Sequence, residues 1–475
     1  MQEFDLIVVG SGAALIVLEA ALAQGKRCAL VEQHKLGGTC LNRGCIPSKI
    51  LVHPADLIRE CERGSKIGLK IAPPQVDWQT ITNRMWTKID EHKDILRVYQ
   101  EISNLTVFQV TGSFIDPYVL EVRNPAGQAI ATLKSDRIVI GVGGRARTPN
   151  LPGLDEAGYL NYERFFGDQC PDAPYQRLLI IGGGIIGVEF AHIFSAYGSQ
   201  VTLVSHSPRL VKHEEPEISA LLEAEFIRNG VTIQTRVEPV RVKKITTAEG
   251  AIEKHLTVRD LDTGAETVLV TDEIFVAAGF VSNADILCAE RCGLKLDDAQ
   301  YIETDHLLQT NLPGIYAVGD INGKHQYRHK ANYEAYIVAR NLYETDKPSR
   351  AANYDHTPWA IFTHPQIAHV GLTEAQARES GHDILVARHP YSSTAKGYAM
   401  GYLPGDADDG FVKLIVDRNS KKLLGLHVIG PHASVLVQPY IHLMEQGLPY
   451  TVIDETMVIH PALSEVAAWA TYYLK

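Results

Sequence analysis

Cysteine is scarce in this chain of 475 residues, which contains seven of them. Small secreted domains that rely on disulfides carry many more cysteines per residue, usually in an even number. The low and odd count therefore argues against a disulfide-stapled secreted protein and favours a reducing compartment. We expect the protein to be cytoplasmic.

An excess of positive charge and long apolar runs are also missing. The formal net charge is -11 at pH 7, which disfavours binding to nucleic acid or to an anionic membrane surface. No uncharged apolar run reaches the length of a bilayer, and the N-terminus leads into the apolar run Leu6-Ile7-Val8-Val9 without a basic leader. We expect neither a nucleic-acid partner nor membrane insertion.

Two segments of the chain repeat the pattern of apolar strand, glycine turn, helix and second apolar strand. The first begins at Leu6 and the second at Leu178. Continuous apolar strands separated by helices are typical of a parallel α/β sheet. Since a chain of this length corresponds to about three domains, the pattern predicts two nucleotide-binding domains followed by a third region.

The first glycine turn has the residues of a dinucleotide site, with one exception. Gly10 and Gly12 permit the tight turn and the close approach to a pyrophosphate, but the third position is Leu15 instead of glycine, which should keep the helix from packing closely on its strand. Glu32 ends the second strand, where a carboxylate binds the ribose of an adenosine. Together with the cysteines that follow, this pattern favours FAD.

The second glycine turn has all three glycines, Gly182, Gly184 and Gly187, and is predicted to bind the nicotinamide cofactor. The strand after it ends at Ser205, where a carboxylate would repel a 2'-phosphate. A hydroxyl group with basic neighbours accepts that phosphate, so NADPH is favoured and NADH remains the alternative. The basic neighbours are His206, Arg209 and Lys212.

Cys40 and Cys45 are separated by four residues, in the run Gly-Gly-Thr-Cys-Leu-Asn-Arg-Gly-Cys-Ile-Pro-Ser-Lys. This spacing permits a small disulfide ring and indicates a redox site. Structural zinc would need a second pair of ligands, and the next cysteine, Cys61, stands alone. We therefore predict no metal site here or elsewhere in the chain.

This cysteine run resembles the redox segment of the FAD-dependent pyridine-nucleotide disulfide oxidoreductases, a family that includes dihydrolipoamide dehydrogenase, glutathione reductase and mycothione reductase. Two later segments also resemble the family: Thr310–Asp320 and Ile459–Glu465. The resemblance implies that Cys45 lies against the flavin and forms the charge-transfer thiolate, while Cys40 exchanges with the substrate sulfur.

The resemblance assigns roles to further residues. Thr39 and Lys49 would contact the flavin, and Lys49 would form a buried pair with Glu189. Asp320 would hold the ribityl chain. His460 would act as the general base, oriented by Glu465, across the subunit interface of a homodimer.

The resemblance also implies a glutathione-reductase-like fold of the α/β class, with two Rossmann-like nucleotide-binding domains and a C-terminal α+β dimerisation domain. The expected division is 1–150 for FAD, 151–275 for NAD(P), 276–350 for a central part that completes the FAD domain, and 351–475 for dimerisation.

The substrate is predicted to be a dithiol or disulfide, small or protein-bound, such as lipoyl. Dihydrolipoamide dehydrogenase is the first expectation, and a mycothione-reductase-like enzyme that uses NADPH is the alternative. A redox-sensing flavoprotein is the alternative of another class. Mercuric reductase and large thioredoxin reductase are disfavoured, because the sequence ends without a second cysteine pair.

Overall fold

The structure is a computed structural model, and it describes residues 1–474. The first segment contributes strands β1 (Gln2–Glu3), β2 (Leu6–Val9), β3 (Cys28–Val31), β4 (Leu105–Phe108), β5 (Thr111–Asp116), β6 (Val119–Arg123), β7 (Ala129–Lys134), β8 (Ile138–Ile140) and β9 (Gly144–Ala146). Its helices are α1 (Leu15–Ala23), α2 (Gly38–Asn42), α3 (Cys45–Arg63), α4 (Trp78–Ile89) and α5 (His92–Gln100).

The second segment contains helices α6 (Leu154–Ala157), α7 (Tyr162–Phe165), α8 (Ile185–Ala196) and α9 (Pro216–Arg228). Its strands are β10 (Arg177–Ile181), β11 (Gln200–Val204), β12 (Thr232–Gln234), β13 (Val237–Thr246), β14 (Ile252–Asp260), β15 (Glu266–Thr271) and β16 (Glu273–Val276).

The chain continues with β17 (Phe280–Ser282), β18 (Ile315–Ala317) and α10 (Arg328–Tyr343). The last strands are β19 (Trp359–Ile361), β20 (Ile367–Gly371), β21 (Ile384–Pro390), β22 (Phe411–Asp417) and β23 (Leu423–Ile429). The last helices are α11 (Glu374–Glu379), α12 (Ala395–Ala399), α13 (Ala433–Leu436), α14 (Gln438–Glu445), α15 (Thr451–Asp454) and α16 (Ser464–Ala468).

A five-stranded parallel sheet with the order β18-β8-β2-β3-β4 forms the core of the N-terminal part. Every residue of β2 and β3 is buried, which explains why these strands read as unbroken apolar runs. β18, from far along the chain, pairs with β8. The strand pairing thus joins the third segment to the first.

The second segment repeats this design in a four-stranded parallel sheet with the order β12-β11-β10-β16. The C-terminal part is different, since its five strands form an antiparallel sheet with the order β19-β20-β23-β22-β21. Three smaller sheets, β1-β7-β6-β5, β13-β14-β15 and β17-β9, complete the strand pairing. Two parallel units and an α+β part are the architecture predicted from the sequence.

The two glycine turns differ in where the following helix begins. A Cβ atom placed on Gly187 would lie 1.9 Å from the carbonyl oxygen of Gly182, so α8 packs against its strand only because residue 187 is glycine. In the first unit the helix begins at Leu15 itself, whereas α8 begins two residues before Gly187. Leu15 is thus the first residue of α1, whereas Gly187 lies inside the first turn of α8.

No helix in residues 1–474 has both the length and the apolar character needed to cross a bilayer.

We predict that Gly187→Ala lowers the thermal unfolding midpoint of the protein. The added methyl group must displace α8 from the Gly182 carbonyl, and such overpacking costs about 1–3 kcal/mol. Gly184→Ala is the matched control, because a Cβ atom there meets open space. Equal midpoints for the two variants, measured by circular dichroism, would contradict the prediction.

Candidate active site

A single cavity of about 1370 Å³ brings together most of the residues predicted to hold a flavin. Pockets for drug-sized ligands are usually about 300–1,000 Å³, so this one suits a larger ligand. The predicted site residues on its wall are Gly10, Gly12, Glu32, Thr39, Cys40, Cys45, Lys49, Glu189 and Asp320. The second glycine turn, Ser205 and His460 are not part of this wall.

The first glycine turn closes one end of the cavity. Gly10 has a φ of +96°, and a Cβ atom there would lie 2.4 Å from the carbonyl oxygen of Gly141. Glu32 Oε2 accepts hydrogen bonds from the backbone nitrogen of Ser11 at 2.9 Å and from its hydroxyl at 2.7 Å. The turn and the carboxylate at the end of β3 are thus fixed together, as a dinucleotide site requires.

Two adjoining helices bring the cysteines together. Cys40 lies in α2, and Cys45 is the first residue of α3, after Gly44. Both are free thiols, and Cys45 is exposed to the cavity. The hydrogen bond from the Cys40 thiol lowers the pKa of Cys45 to about 7, with a further contribution from Lys49. The same hydrogen bond, followed by burial, raises the pKa of Cys40.

This asymmetry matters because the thiolate is the reactive form of cysteine. In the reduced pair Cys45 therefore ionises more readily than Cys40. The unequal pair suits the different roles that the resemblance implies for the two sulfurs.

Lys49 and Glu189 form the ion pair expected from the resemblance. The distance from Lys49 Nζ to Glu189 Oε2 is 2.7 Å, and the glutamate side chain is 8 % exposed. Its other oxygen accepts a hydrogen bond from the backbone nitrogen of Phe362 at 3.0 Å. Because the Phe362 ring also lies 4.4 Å from Lys49 Nζ, the lysine is held over the cavity from two sides.

Asp320 faces the same cavity from the short helical turn after β18. Burial raises the pKa of this carboxyl group to about 6, although Lys330 opposes the shift. Loss of hydration is the dominant influence, so a ligand that supplies hydroxyl donors would stabilise the charged form.

The residues predicted to bind the 2'-phosphate of the nicotinamide cofactor differ in their exposure and contacts. Ser205 is buried, and its hydroxyl accepts a hydrogen bond from the backbone nitrogen of Ser207 at 3.2 Å. His206 and Lys212 are exposed beside it. The guanidinium group of Arg209 donates a hydrogen bond to the carbonyl of Lys212 at 2.8 Å. This bond stabilises the loop in which both residues lie.

His460 and Glu465 form the predicted dyad away from the cysteines. His460 Nδ1 lies 2.6 Å from Glu465 Oε1, with the imidazole 62 % exposed and the carboxylate 1 % exposed. The second carboxylate oxygen accepts a hydrogen bond from the Ala462 nitrogen at 3.0 Å. The glutamate is therefore fixed by the backbone, and it orients a histidine that faces outwards.

Large apolar side chains are exposed in the segments on either side of this histidine in the sequence: Met457, Ile459, Tyr472 and Tyr473. Tyr472 lines the same small cavity as His460. Exposed apolar side chains that form a patch often mark an interface.

Sequence reasoning missed a buried network beneath Asp320. Lys330 Nζ lies 3.1 Å from Glu334 Oε2, and neither side chain is more than 1 % exposed. Glu334 also accepts hydrogen bonds from the Gly319 nitrogen at 2.7 Å and from Asn322 Nδ2 at 2.8 Å. In the sequence this pair looks like an ordinary solvated i,i+4 pair on a helix, so only the packing of α10 reveals it.

Arg328, at the start of α10, was also missed. It lines the cavity and is one of the charges that lower the pKa of Cys45. Its position on the helix carries no motif that would have identified it.

Comparison with protein families matches almost the whole chain. Residues 4–340 match the model described as pyridine nucleotide-disulphide oxidoreductase, and residues 357–471 match the dimerisation domain of the same name.

Comparison with individual proteins gives relatives of similar length. The chain is 31 % identical to a dihydrolipoyl dehydrogenase of Chlamydia muridarum over 483 aligned positions, which cover 99 % of this chain and 96 % of the relative. It is 33 % identical to a mycothione reductase of Mycobacterium tuberculosis, with 98 % of each chain covered.

A solved structure has the same fold over its full length. It is the Cu(II) complex of the HOCl-induced flavoprotein disulfide reductase RclA from Escherichia coli, with a TM-score of 0.85 and 25 % sequence identity. The match covers 99 % of this chain and 100 % of that one.

We predict that in the reduced protein the rate at which iodoacetamide alkylates Cys45 rises with pH and is half-maximal near pH 7. The reason is that the thiolate forms as the pH rises through the lowered pKa of Cys45. Cys40 should react only at higher pH. Tryptic cleavage after Arg43 places the two cysteines on different peptides, so mass spectrometry measures the alkylation of each cysteine separately.

Lys49→Met should raise the Cys45 midpoint by about one pH unit, because a neighbouring positive charge is lost. Lys66→Met, which removes a lysine paired with Asp406 and Asp408, is the control. A lower midpoint for Cys40 than for Cys45 would refute the assignment.

Proposed function

Because this chain belongs to the pyridine nucleotide-disulphide oxidoreductase family, we propose that it moves electron pairs between a nicotinamide, FAD, the Cys40–Cys45 pair and a substrate dithiol or disulfide. Members of this family bind FAD and use NAD(P)H. The observation that carries the proposal for this chain is the pair of free thiols, Cys40 and Cys45, on the wall of the large cavity that Lys49 also lines.

The residues of the cavity fit a flavin dinucleotide. The Gly10–Gly12 turn and Glu32 would hold the pyrophosphate and the adenosine ribose, and Asp320 would hold the ribityl hydroxyls. Lys49, paired with Glu189, would lie near the redox-active ring. When bound, FAD supplies two-electron exchange between the nicotinamide and the cysteine pair.

The cysteines perform the sulfur chemistry. In the reducing direction, the general base takes the proton of the Cys40 thiol, and the thiolate so formed attacks one sulfur of the substrate disulfide. The other substrate sulfur leaves as a thiolate and takes that proton from the base. The Cys45 thiolate then attacks the Cys40 sulfur, which forms the Cys40–Cys45 disulfide and releases the second substrate thiol. Oxidation of a dithiol follows the same steps in reverse.

The general base in this proposal is His460 of the partner subunit. The dyad with Glu465 holds the imidazole in one orientation but leaves it outside the cysteine cavity. The exposed apolar side chains on either side of it in the sequence, and its place within the matched dimerisation domain, support a homodimer in which each chain supplies the histidine of the other site.

Dihydrolipoamide oxidation is the first candidate reaction, supported by relatives named dihydrolipoyl dehydrogenase that align over nearly the whole chain. A disulfide reductase of the mycothione reductase type is the second. It is supported by the 33 % identity to such an enzyme and by Ser205, where a carboxylate would suit NADH. A redox-sensing flavoprotein is a third reading, in which the thiols would turn over without a small substrate.

A substrate panel tests the proposal. We expect the highest kcat/KM with lipoamide or dihydrolipoamide, lower values with mycothione disulfide, and the lowest with glutathione disulfide, each assayed with both nicotinamides. Cys40→Ser is the control, since it should abolish every thiol reaction. Turnover confined to mycothione disulfide would support the second candidate, and a flavin that is reduced without any turnover would support the third.

We predict that His460→Gln slows the thiol–disulfide half-reaction by about a hundredfold or more, the usual contribution of a positioned general base. Reduction by the nicotinamide should remain nearly unchanged. His382→Gln is the control, because that histidine also pairs with a carboxylate, Asp417, in the C-terminal part. Equal slowing of both half-reactions, or a fully active monomer in sedimentation experiments, would contradict this role.

We predict a preference for NADPH that Ser205→Glu shifts toward NADH. A charge-assisted contact is worth about 1.5–3 kcal/mol, which corresponds to roughly a tenfold to hundredfold change in specificity. Ser205→Ala is the control, because it removes the hydroxyl group without adding charge. It therefore distinguishes repulsion between the new carboxylate and the 2'-phosphate from the loss of a hydrogen bond made by the hydroxyl group. A wild-type protein with a higher kcat/KM for NADH would refute the preference.

A further inference from the structure

Four side chains form a row across the C-terminal sheet. Trp359 on β19 pairs with His369 on β20, His369 pairs with His427 on β23, and His427 pairs with Lys413 on β22. Residues directly opposite one another on neighbouring strands share a face of the sheet. All four therefore face the same way, toward the loop that precedes α9 in the second segment.

That loop presents two buried acidic residues to the row. Glu214 Oε1 accepts a hydrogen bond from Trp359 Nε1 at 2.5 Å, and Glu214 Oε2 lies 3.0 Å from His369 Nδ1. Glu215 Oε2 accepts a hydrogen bond from Lys413 Nζ at 2.9 Å. Lys413 Nζ also pairs with Glu217 and Glu374, whereas Glu214 faces the histidines.

The two histidines leave nitrogen atoms without partners among the described residues. His427 Nε2 donates to the carbonyl of Leu372 at 2.9 Å, which leaves Nδ1 as the lone-pair nitrogen, and that atom has no hydrogen bond. His369 Nε2 is also without one. Both side chains are at most 1 % exposed, and an unsatisfied buried polar group costs about 1–3 kcal/mol.

The arrangement has the features of a metal site. One ligand atom from each of Glu214, His369 and His427 lies within 4.8 Å of the others, and in a tetrahedral zinc site with bonds of about 2.0–2.1 Å the ligand atoms lie about 3.4 Å apart. Modest side-chain movement would bring the three ligand atoms to the separation that a zinc ion requires. The bond from His427 to the Leu372 carbonyl is also the usual outer contact of a metal-binding histidine, since it fixes the ring and its tautomer.

We propose that Glu214, His369 and His427 bind a divalent transition-metal ion of the zinc type, with one position left for water. Two imidazoles and one carboxylate favour such an ion over magnesium or calcium, which prefer oxygen ligands alone. The ion would join the loop before α9 to the C-terminal sheet. This site is separate from the cysteine pair, so the proposal does not depend on the proposed function.

A purely structural ion pair is the competing explanation. In that case Glu214 and His369 would satisfy each other, and the site would bind no added ion. The two explanations predict different numbers of metal ions bound per chain, because only a metal site retains an ion after dialysis.

The test uses the flavin-loaded protein with its cysteine pair oxidised, stripped with EDTA, equilibrated with Zn²⁺ and dialysed. We expect about one zinc ion retained per chain and a higher thermal unfolding midpoint with Zn²⁺, because the ion binds the folded state. His427→Gln should lose both effects. The matched control is His389→Gln, which alters a buried histidine of the same sheet whose Nδ1 contacts the Val466 carbonyl instead.

Equal zinc retention by wild type and His427→Gln, or none by wild type, would overturn the proposal. If His427→Gln fails to fold, electron paramagnetic resonance of wild-type protein with one equivalent of Cu²⁺ decides the matter. Coupling to two imidazole nitrogens would support the site. Sulfur coordination, or a signal without nitrogen coupling, would refute it.

Discussion

The ion pair between Lys49 and Glu189 is the constraint on which the geometry of the cysteine site depends. Lys49 lies on the helix that begins at Cys45, and Glu189 lies on the helix that follows the second glycine turn. The same glutamate binds the backbone of Phe362 in the C-terminal part. One carboxylate therefore joins three parts of the chain at the point where the thiols meet the cavity. Loss of Lys49 would be costly, because the largely buried Glu189 carboxylate would lose its charge partner.

Buried charges also occur elsewhere in the chain. Lys330 and Glu334 hold the turn that carries Asp320, and Lys413 holds Glu215 against the C-terminal sheet. Such groups contribute little net stability compared with apolar packing. They do restrict how the surfaces fit together, since each buried charge must find its partner. The apolar cores of the parallel sheets supply most of the stability, and these ion pairs restrict how the packed surfaces are oriented relative to one another.

Local patterns in the sequence were sufficient to predict the strands and the cysteine pair. The runs Leu6–Val9 and Cys28–Val31 form the strands expected of them, and the dyad of His460 and Glu465 depends on neighbours only five residues apart. The cluster of Glu214, His369 and His427 could not be found in this way, because each residue comes from a different element. The sequence also did not reveal that Arg209, a basic residue near a predicted phosphate site, donates to the carbonyl of Lys212 in its own loop.

The position of β18 has a consequence for how the chain folds during synthesis. This strand pairs with β8 although the whole second unit lies between them in sequence. The second parallel sheet, by contrast, is built from one continuous stretch that ends at β16. A ribosome therefore releases everything the second sheet needs before the first sheet can gain its last strand. The unit synthesised first is thus completed after the second unit, and its β8 edge stays open to wrong partners until Ile315 emerges.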